Sequence, residues 1–405
     1  MKMSGSTRNG IEPLNLTRSA TFNSALQFAL ARVEENLQIF SNCFPGISTR
    51  NGVYHQSIPR KDTVVGGNSG WTTGFWTGQL WLAFELTNNP QIKLAAQGHS
   101  ASFHDRLKNR IDLDHHDLGF LYTPSTIADY RLAGSHRARD TAIAAAGDLM
   151  HRYLPGPGVF QAWGSFDDPE QSGRMIVDSL MNLPLLYFAA RETGEEHYAK
   201  AARSHACQTA NFLVRPDGTT HHTYYFDVAT GAPRFGRTRQ GASDDSCWAR
   251  GQAWAIYGFA LLYFHTGEGK FLDKSKQVAD VFLEMLPANR IAYWDLIYDE
   301  ASNEPWDSSA CAIAVCGLIE LAELLGTLQG HLYREAAFSI LESLILNCAA
   351  GDATNALLLR GTHNLPKGLG VEEGNLWGDY FYLEALARAR YLDRGKPWKS
   401  YWRQT

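Results

Sequence analysis

A chain of 405 residues that is 44% hydrophobic and 20% charged has the composition of a globular protein with a substantial core, not of a disordered or low-complexity one. Its 37 basic and 42 acidic residues give a net charge of −5 with no basic run, so neither nucleic acid nor an anionic membrane is an expected partner. The N-terminal stretch has no apolar core of the secretory type, and the most apolar run, residues 310–319, is shorter than the roughly 18 to 20 residues of a membrane span. Cys43, Cys207, Cys247, Cys311, Cys316 and Cys348 form no CxxC pair. Together these features predict a cytoplasmic protein with reduced thiols, organised as a single domain over 1–405 with an extended segment at 1–20.

The first predicted element is an amphipathic helix, because Phe22, Leu26, Ala29, Leu30, Val33, Leu37 and Phe40 recur at helical spacing. The same periodicity, bounded by Gly, Pro and Asn/Asp signals, predicts helices at 74–87, 91–108, 119–133, 136–152, 174–192, 195–214, 247–266, 270–286, 308–325, 330–348 and 376–393. Strand-like alternation is confined to 222–228 and 291–297, too little for a main sheet. The helices alternate in character. Segments 254–264 and 310–325 are apolar nearly all round, whereas 136–152, 195–214, 270–286 and 330–348 carry charge along one face. Inner and outer helices in alternation predict six hairpins closed into a ring, an all-α (α/α)6 barrel, with an open solenoid as the alternative. The long connections 41–73, 109–118, 154–173, 215–246, 287–307 and 349–375 alternate with short turns, which gathers them at one rim, the expected place for an active site.

Aromatic residues make up 12% of the chain, many beside Gly, Asp, Arg or His, a pattern that suits the stacking faces of a sugar-binding cleft. Three clusters carry the candidate chemistry. The run Asp112-Leu-Asp114-His115-His116-Asp117 precedes a predicted helix, where an aspartate is as readily a helix cap as a functional carboxylate. Asp178 lies amid Met175, Ile176, Val177, Leu180 and Met181, an apolar setting that raises a carboxyl pKa and favours a proton donor, opposed by the pull of a helix N-terminus. Two carboxylates, one protonated and one ionised, are the usual equipment for chemistry at a sugar ring. In the third cluster Asp244 and Asp245 are expected to cap a helix that begins with Trp248 and Arg250. An arginine in an apolar first turn needs an anion, either an internal aspartate or a bound uronate carboxylate. His115, His116, His221 and His222 lack zinc-type spacing, no nucleotide-binding glycine pattern follows a strand, and neither a metal nor a cofactor is expected.

These clusters resemble the unsaturated glucuronyl hydrolases of glycoside hydrolase family 88. The matching segments are Gly70-Trp71-Thr-Thr-Gly74-Phe75-Trp76-Thr-Gly78, His115-His116-Asp117-Leu-Gly119-Phe120, Arg174 to Asp178 with Ser179-Leu-Met-Asn182, Asp245-Ser-Cys-Trp248-Ala-Arg250-Gly-Gln252-Ala-Trp254, Trp306-Asp307-Ser308-Ser309-Ala310 and Glu373-Gly-Asn-Leu-Trp377-Gly-Asp379-Tyr380-Phe381, in order over most of the chain. The related rhamnogalacturonyl hydrolases of family 105 share fold and chemistry, but the His-His-Asp and Trp-Ala-Arg segments are closer to the glucuronyl family. The resemblance implies an (α/α)6 barrel that removes a 4,5-unsaturated uronate from the non-reducing end of lyase-generated oligosaccharides. It implies Asp178 as general acid/base, Asp117 as the second carboxylate, and Trp71, His116, Trp163, His222, Gln240, Trp248, Arg250, Trp254 and Tyr380 as pocket residues, with Arg250 holding the uronate carboxylate. Some family members carry serines and a lysine in a loop that receives a sulfated leaving sugar. Here residues 362–370 keep only Lys367, so a preference for sulfate is not expected. The expected assembly is a monomer or weak homo-oligomer. A conventional inverting glycosidase and a non-catalytic sugar binder are the rival readings.

Overall fold

The computed structural model describes residues 14, 16–60 and 63–403. Its helices are α1 (Leu16–Phe40), α2 (Thr73–Thr87), α3 (Pro90–Lys108), α4 (Leu118–Tyr122), α5 (Ala128–Ala133), α6 (His136–Met150), α7 (Leu183–Thr193), α8 (Glu196–Gln208), α9 (Ala249–Thr266), α10 (Gly269–Met285), α11 (Ser308–Asn347) and α12 (Leu376–Asp393). They close the ring. The inner helices α2, α4–α5, α7, α9, the first half of α11 and α12 contact one another in that order, and α12 returns to α2. On α2, α9 and α12 the buried residues run unbroken for several turns, whereas α6, α8 and α10 bury one face only, as outer helices do. The two helices predicted at 308–325 and 330–348 are the two arms of α11, bent at Gly326, which has φ 75° and ψ −179°. By length and composition α11 could cross a membrane, but 67% of its apolar window is buried within the barrel.

Four expectations are corrected. Residues 16–20 are helical because α1 begins at Leu16, while 1–13 and 15 lie outside the described residues. The helix predicted at 174–192 begins instead as a strand, β3 (Arg174–Ile176), which pairs with β4 (Thr223–Phe226), itself paired with β5 (Pro233–Arg237); β1 (Tyr153–Leu154) and β2 (Val159–Phe160) form a separate short hairpin. Residues 291–297 make only single bridges, Tyr293 to Trp306 and Asp295 to Trp248. Segments Thr123–Ile127 and Thr209–Leu213, predicted as ordinary helix, are π-helical.

Two glycines bring the inner helices into backbone contact at the rim. A side chain on Gly74 would collide with the backbone of Phe120 and Leu121, and one on Gly119 with the backbone of Asn182. Asn182 secures the second contact by accepting the Phe120 N–H at 2.9 Å. At the opposite end, residues 398–402 clasp the floor. Trp398 and Tyr401 reach Glu85 on α2, and the Trp402 indole donates to Glu384 on α12 at 3.0 Å. Beneath that clasp Arg388, fully buried, pairs with Glu384 at 2.9 Å and Glu320 at 3.1 Å, and Arg403 adds a contact to Glu320.

Candidate active site

The rim loops converge on a cavity of about 450 Å³. Arg106, buried on α3, ties two of them together: its guanidinium donates to the backbone carbonyls of Gly70, beside Trp71, and of Ile111 and Asp112, ahead of His116 and Asp117. Asp117 stands at the N-cap position of α4, yet its side chain makes no capping bond. Its Oδ1 lies 3.2 Å from His116 Nε2. Asp178 follows β3, in a 3-10 turn (Val177–Met181), and its Oδ1 lies 3.0 Å from the same nitrogen. One imidazole nitrogen therefore faces both carboxyls.

This arrangement separates the two acids. Burial pushes the Asp178 carboxyl up, and the charge of Asp117 adds to it, outweighing the opposing pull of His116. Burial acts on Asp117 too, but His116, His115 and Arg106 hold it below the usual carboxylate range. His116 is itself raised: burial opposes its charge, and the two neighbouring carboxylates prevail. The balance that the sequence left open at Asp178 thus falls on the side of the proton donor. His115 supports the turn, accepting the Asp117 N–H at Nδ1 (3.1 Å) while Nε2 donates to the Asp112 carbonyl (3.0 Å).

Of the predicted site residues, Trp71, His116, Asp117, Trp163, Asp178, Gln240, Trp248, Arg250, Trp254 and Lys367 line the cavity. Trp163 is held by Arg174, whose guanidinium lies 4.0 Å from the ring centroid and donates to the Trp163 carbonyl. Two predicted pocket residues stand behind the wall. His222 packs against Trp248 with ring centroids 4.5 Å apart, and its Nδ1 accepts the N–H groups of Arg239 and Gln240, so it shapes the loop that carries Gln240. Burial pushes its pKa down to about 3, aided by Arg250, Arg174 and Arg239, and it is a neutral ring. Tyr380 is turned into the barrel among Phe75, Phe381 and Trp402, because its position on α12 points below the rim that Trp377 faces.

Arg250 lines the cavity from within an internal ion pair. Its Nη1 pairs with buried Asp307 at 2.6 Å and donates to the Thr362 carbonyl, and its Nη2 donates to Gln240 Oε1 and the His363 carbonyl. Asp307 is therefore its counterion within the chain, and Arg250 still lines the cavity. Asp244 and Asp245 do not cap α9: Trp248 is its N-cap, and Asp244 accepts the Thr238 N–H. Arg60, Arg239, His363 and Asn364 also line the cavity and were not singled out from the sequence. Exposed loop arginines carry no periodic signal, but His363 and Asn364 lie within the stretch 362–370 and could have been marked by their closeness to Lys367.

His116, Asp117 and Asp178 each offer a ligand atom, all within 4.8 Å of one another, the one group of at least three such residues among those described. The chemistry of the set suits proton handling better than metal binding. A metal-bound histidine normally donates its other ring N–H to a fixed acceptor, and His116 Nδ1 is buried without one.

A ring of helical hairpins carrying one carboxyl shifted up and one shifted down in an aromatic cleft at one rim has the equipment of a glycoside hydrolase. The sequence profile of Glycosyl Hydrolase Family 88 matches residues 51–363. The chain belongs to that family. It is 44% identical to the unsaturated chondroitin disaccharide hydrolase of Streptococcus pneumoniae over 93% of each protein. The crystal structure of the unsaturated glucuronyl hydrolase of Streptococcus agalactiae superposes with a TM-score of 0.89 at 40% identity, covering 99% of this chain and 100% of the other. An aspartate-to-asparagine variant of that protein, complexed with dGlcA-GalNAc6S, gives 0.81 at 39% identity with the same coverage.

Proposed function

We propose that this enzyme removes a 4,5-unsaturated uronic acid from the non-reducing end of lyase-generated oligosaccharides, with unsaturated chondroitin-type disaccharides as the first substrates to examine. The observation that carries this reading is the pair of carboxyls with opposite pKa shifts on one imidazole nitrogen. The unsaturated ring is a vinyl ether. Asp178 protonates C4, leaving an oxocarbenium ion shared by C5 and the ring oxygen, and then accepts a proton from the water that adds at C5. The hemiketal opens and the glycosidic bond breaks without attack at C1. Asp117, ionised beside His116, stabilises the developing cation. Arg250 acts through Gln240: by occupying Oε1 it leaves the amide NH₂ of Gln240 for the substrate.

The carboxylate spacing disfavours the inverting alternative. The ligand oxygens of Asp117 and Asp178 lie within 4.8 Å, shorter than the roughly 6.5–9.5 Å that leaves room for an attacking water. We further place the enzyme in the cytoplasm, acting on imported sugars; the support is that all six cysteines are free thiols. Incubation with a lyase-derived disaccharide should erase the ultraviolet band of the C4=C5 bond, and in D₂O should place deuterium at C4. Release of sugar with the double bond intact would overturn the reading.

A further inference from the structure

Arg250, in the first turn of α9, is a buried cation in the cavity wall, with its guanidinium carbon 4.5 Å from the Trp248 centroid and 4.9 Å from that of Trp377. The charged groups that act most strongly on Asp178 are His116 and Asp117, from the stretch before α4, and Arg250. Burial pushes His222 and His363 down to about 3, so both rings are neutral, and Arg174 on β3 is turned to Trp163. Arg60, Arg239 and Lys367 also line the cavity but are exposed, where water and salt screen them. Of the outer acids, Asp114 is paired with Arg152 at 2.6 Å and Asp112 accepts the Gly70 N–H. A buried cation beside an acid favours its ionised form. Left uncompensated, Arg250 would draw Asp178 away from the form that donates a proton.

Asp307, wholly buried, stands where it prevents this. Its Oδ2 lies 2.6 Å from Arg250 Nη1. Its Oδ1 caps α11 by accepting the Ser309 N–H, and also accepts the Ser309 hydroxyl and the Thr362 N–H. The same hydroxyl accepts the Trp377 indole N–H at 2.8 Å, which fixes the ring lying against Arg250. Capping the helix occupies Oδ1 alone, and Oδ2 is given to the cation.

We propose that Asp307 is a positioning residue of the reaction: it cancels the charge that Arg250 turns toward Asp178 while holding the guanidinium on Gln240, so the cavity keeps a fixed donor in its wall without ionising its acid. The inference rests on the proposed role of Asp178 as proton donor. It gives the aspartate at the start of α11 a part in the chemistry beyond capping a helix.

The test is the pH profile of kcat/KM on an unsulfated unsaturated disaccharide. In Asp307→Asn the alkaline limb, where Asp178 loses its proton, should move down by about one pH unit. The acid limb should move less, because His116, His115 and Arg106 hold Asp117. On the alkaline side the variant then loses about tenfold, and acidification restores it. Ser309→Ala removes a bond to the same Oδ1 and keeps the charge, so it should lower the thermal midpoint and leave both limbs in place. An alkaline limb unmoved in Asp307→Asn, or equally displaced in Ser309→Ala, would overturn the proposal. Should Asp307→Asn not fold, Arg250→Gln/Asp307→Asn leaves neither charge stranded. Its alkaline limb should stay close to the wild-type position, whereas a rise of about one pH unit would show that Asp178 feels Arg250 uncompensated, against the proposal. If the wild-type chain turns over no unsaturated disaccharide, the proposed reaction fails on its own. The pairing is then judged by ¹³C NMR titration of the Asp178 carboxyl, identified by its loss in Asp178→Asn: its midpoint must fall in Asp307→Asn and hold in the double variant for the proposal to stand.

Discussion

Charge is buried at both ends of this barrel, and the two ends treat it differently. At the floor, fully buried Arg388 is bracketed by Glu320 and Glu384, with Arg403 bonded to Glu320 and lying 2.8 Å from Glu323. At the rim, Asp117 and Asp178 share one histidine, and His116 Nδ1 and His222 Nε2 are buried with no partner. Three glutamates share two arginines there, and burial, with Glu320 adding, pushes the Glu323 carboxyl up to about 7 against the pull of Arg403. The rim is likewise short of one positive charge, but there the raised acid, Asp178, lines an aromatic cavity that a substrate can enter. The floor charges join helices to the C-terminal clasp, whereas the rim charges face the cavity.

That contrast can be broken by substitution at either end. The largest effect is expected at the floor, where Arg388→Met strands two buried glutamates and should cost about 3–5 kcal/mol in urea-induced unfolding, with kcat per folded molecule unchanged. Asp178→Asn should do the reverse. Its kcat should fall roughly 10²-fold or more while the thermal midpoint and substrate affinity hold, measured by the double-bond assay and by binding of intact substrate. A variant that lost stability at the rim, or activity at the floor, would erase the distinction.

The smallest effect is the most discriminating. Activity needs Asp117 ionised and Asp178 protonated, so it should fall on the acid side as Asp117 takes up a proton and on the alkaline side as Asp178 loses one. The cationic His116 lowers both carboxyls. Its replacement in His116→Gln should therefore move both limbs of the kcat/KM profile to higher pH, which a merely structural role would not do.

Much of the architecture was legible because inner and outer helices differ in how far apolar residues extend around the axis, a local property. The π-helical stretch Thr123–Ile127 was not read, although Pro124 inside an otherwise helical pattern marks where a regular hydrogen bond must fail. Strand β3 exists only by pairing with β4, some fifty residues later in the chain, and no local pattern in Arg174–Ile176 encodes that. The site shows the same divide. Asp178 was marked by its apolar neighbours, whereas the counterion of Arg250 lies 57 residues away at Asp307, a pairing that only the closed ring creates. Tyr380 was carried by its motif, but the phase of α12 turns it away from the cavity, beside Trp402 in the core.

The clasp at residues 398–402 has a consequence for how the protein is made. Glu85 waits on α2 for Trp398 and Tyr401, and α1 is fastened to α12 through Ser19 and Asp393 at 2.7 Å. During synthesis the early hairpins therefore emerge into solvent with their inward faces uncovered and no neighbour on one side. The ring shuts only after the distal helices arrive, so nascent chains should engage chaperones throughout elongation and gain protease resistance in one late step.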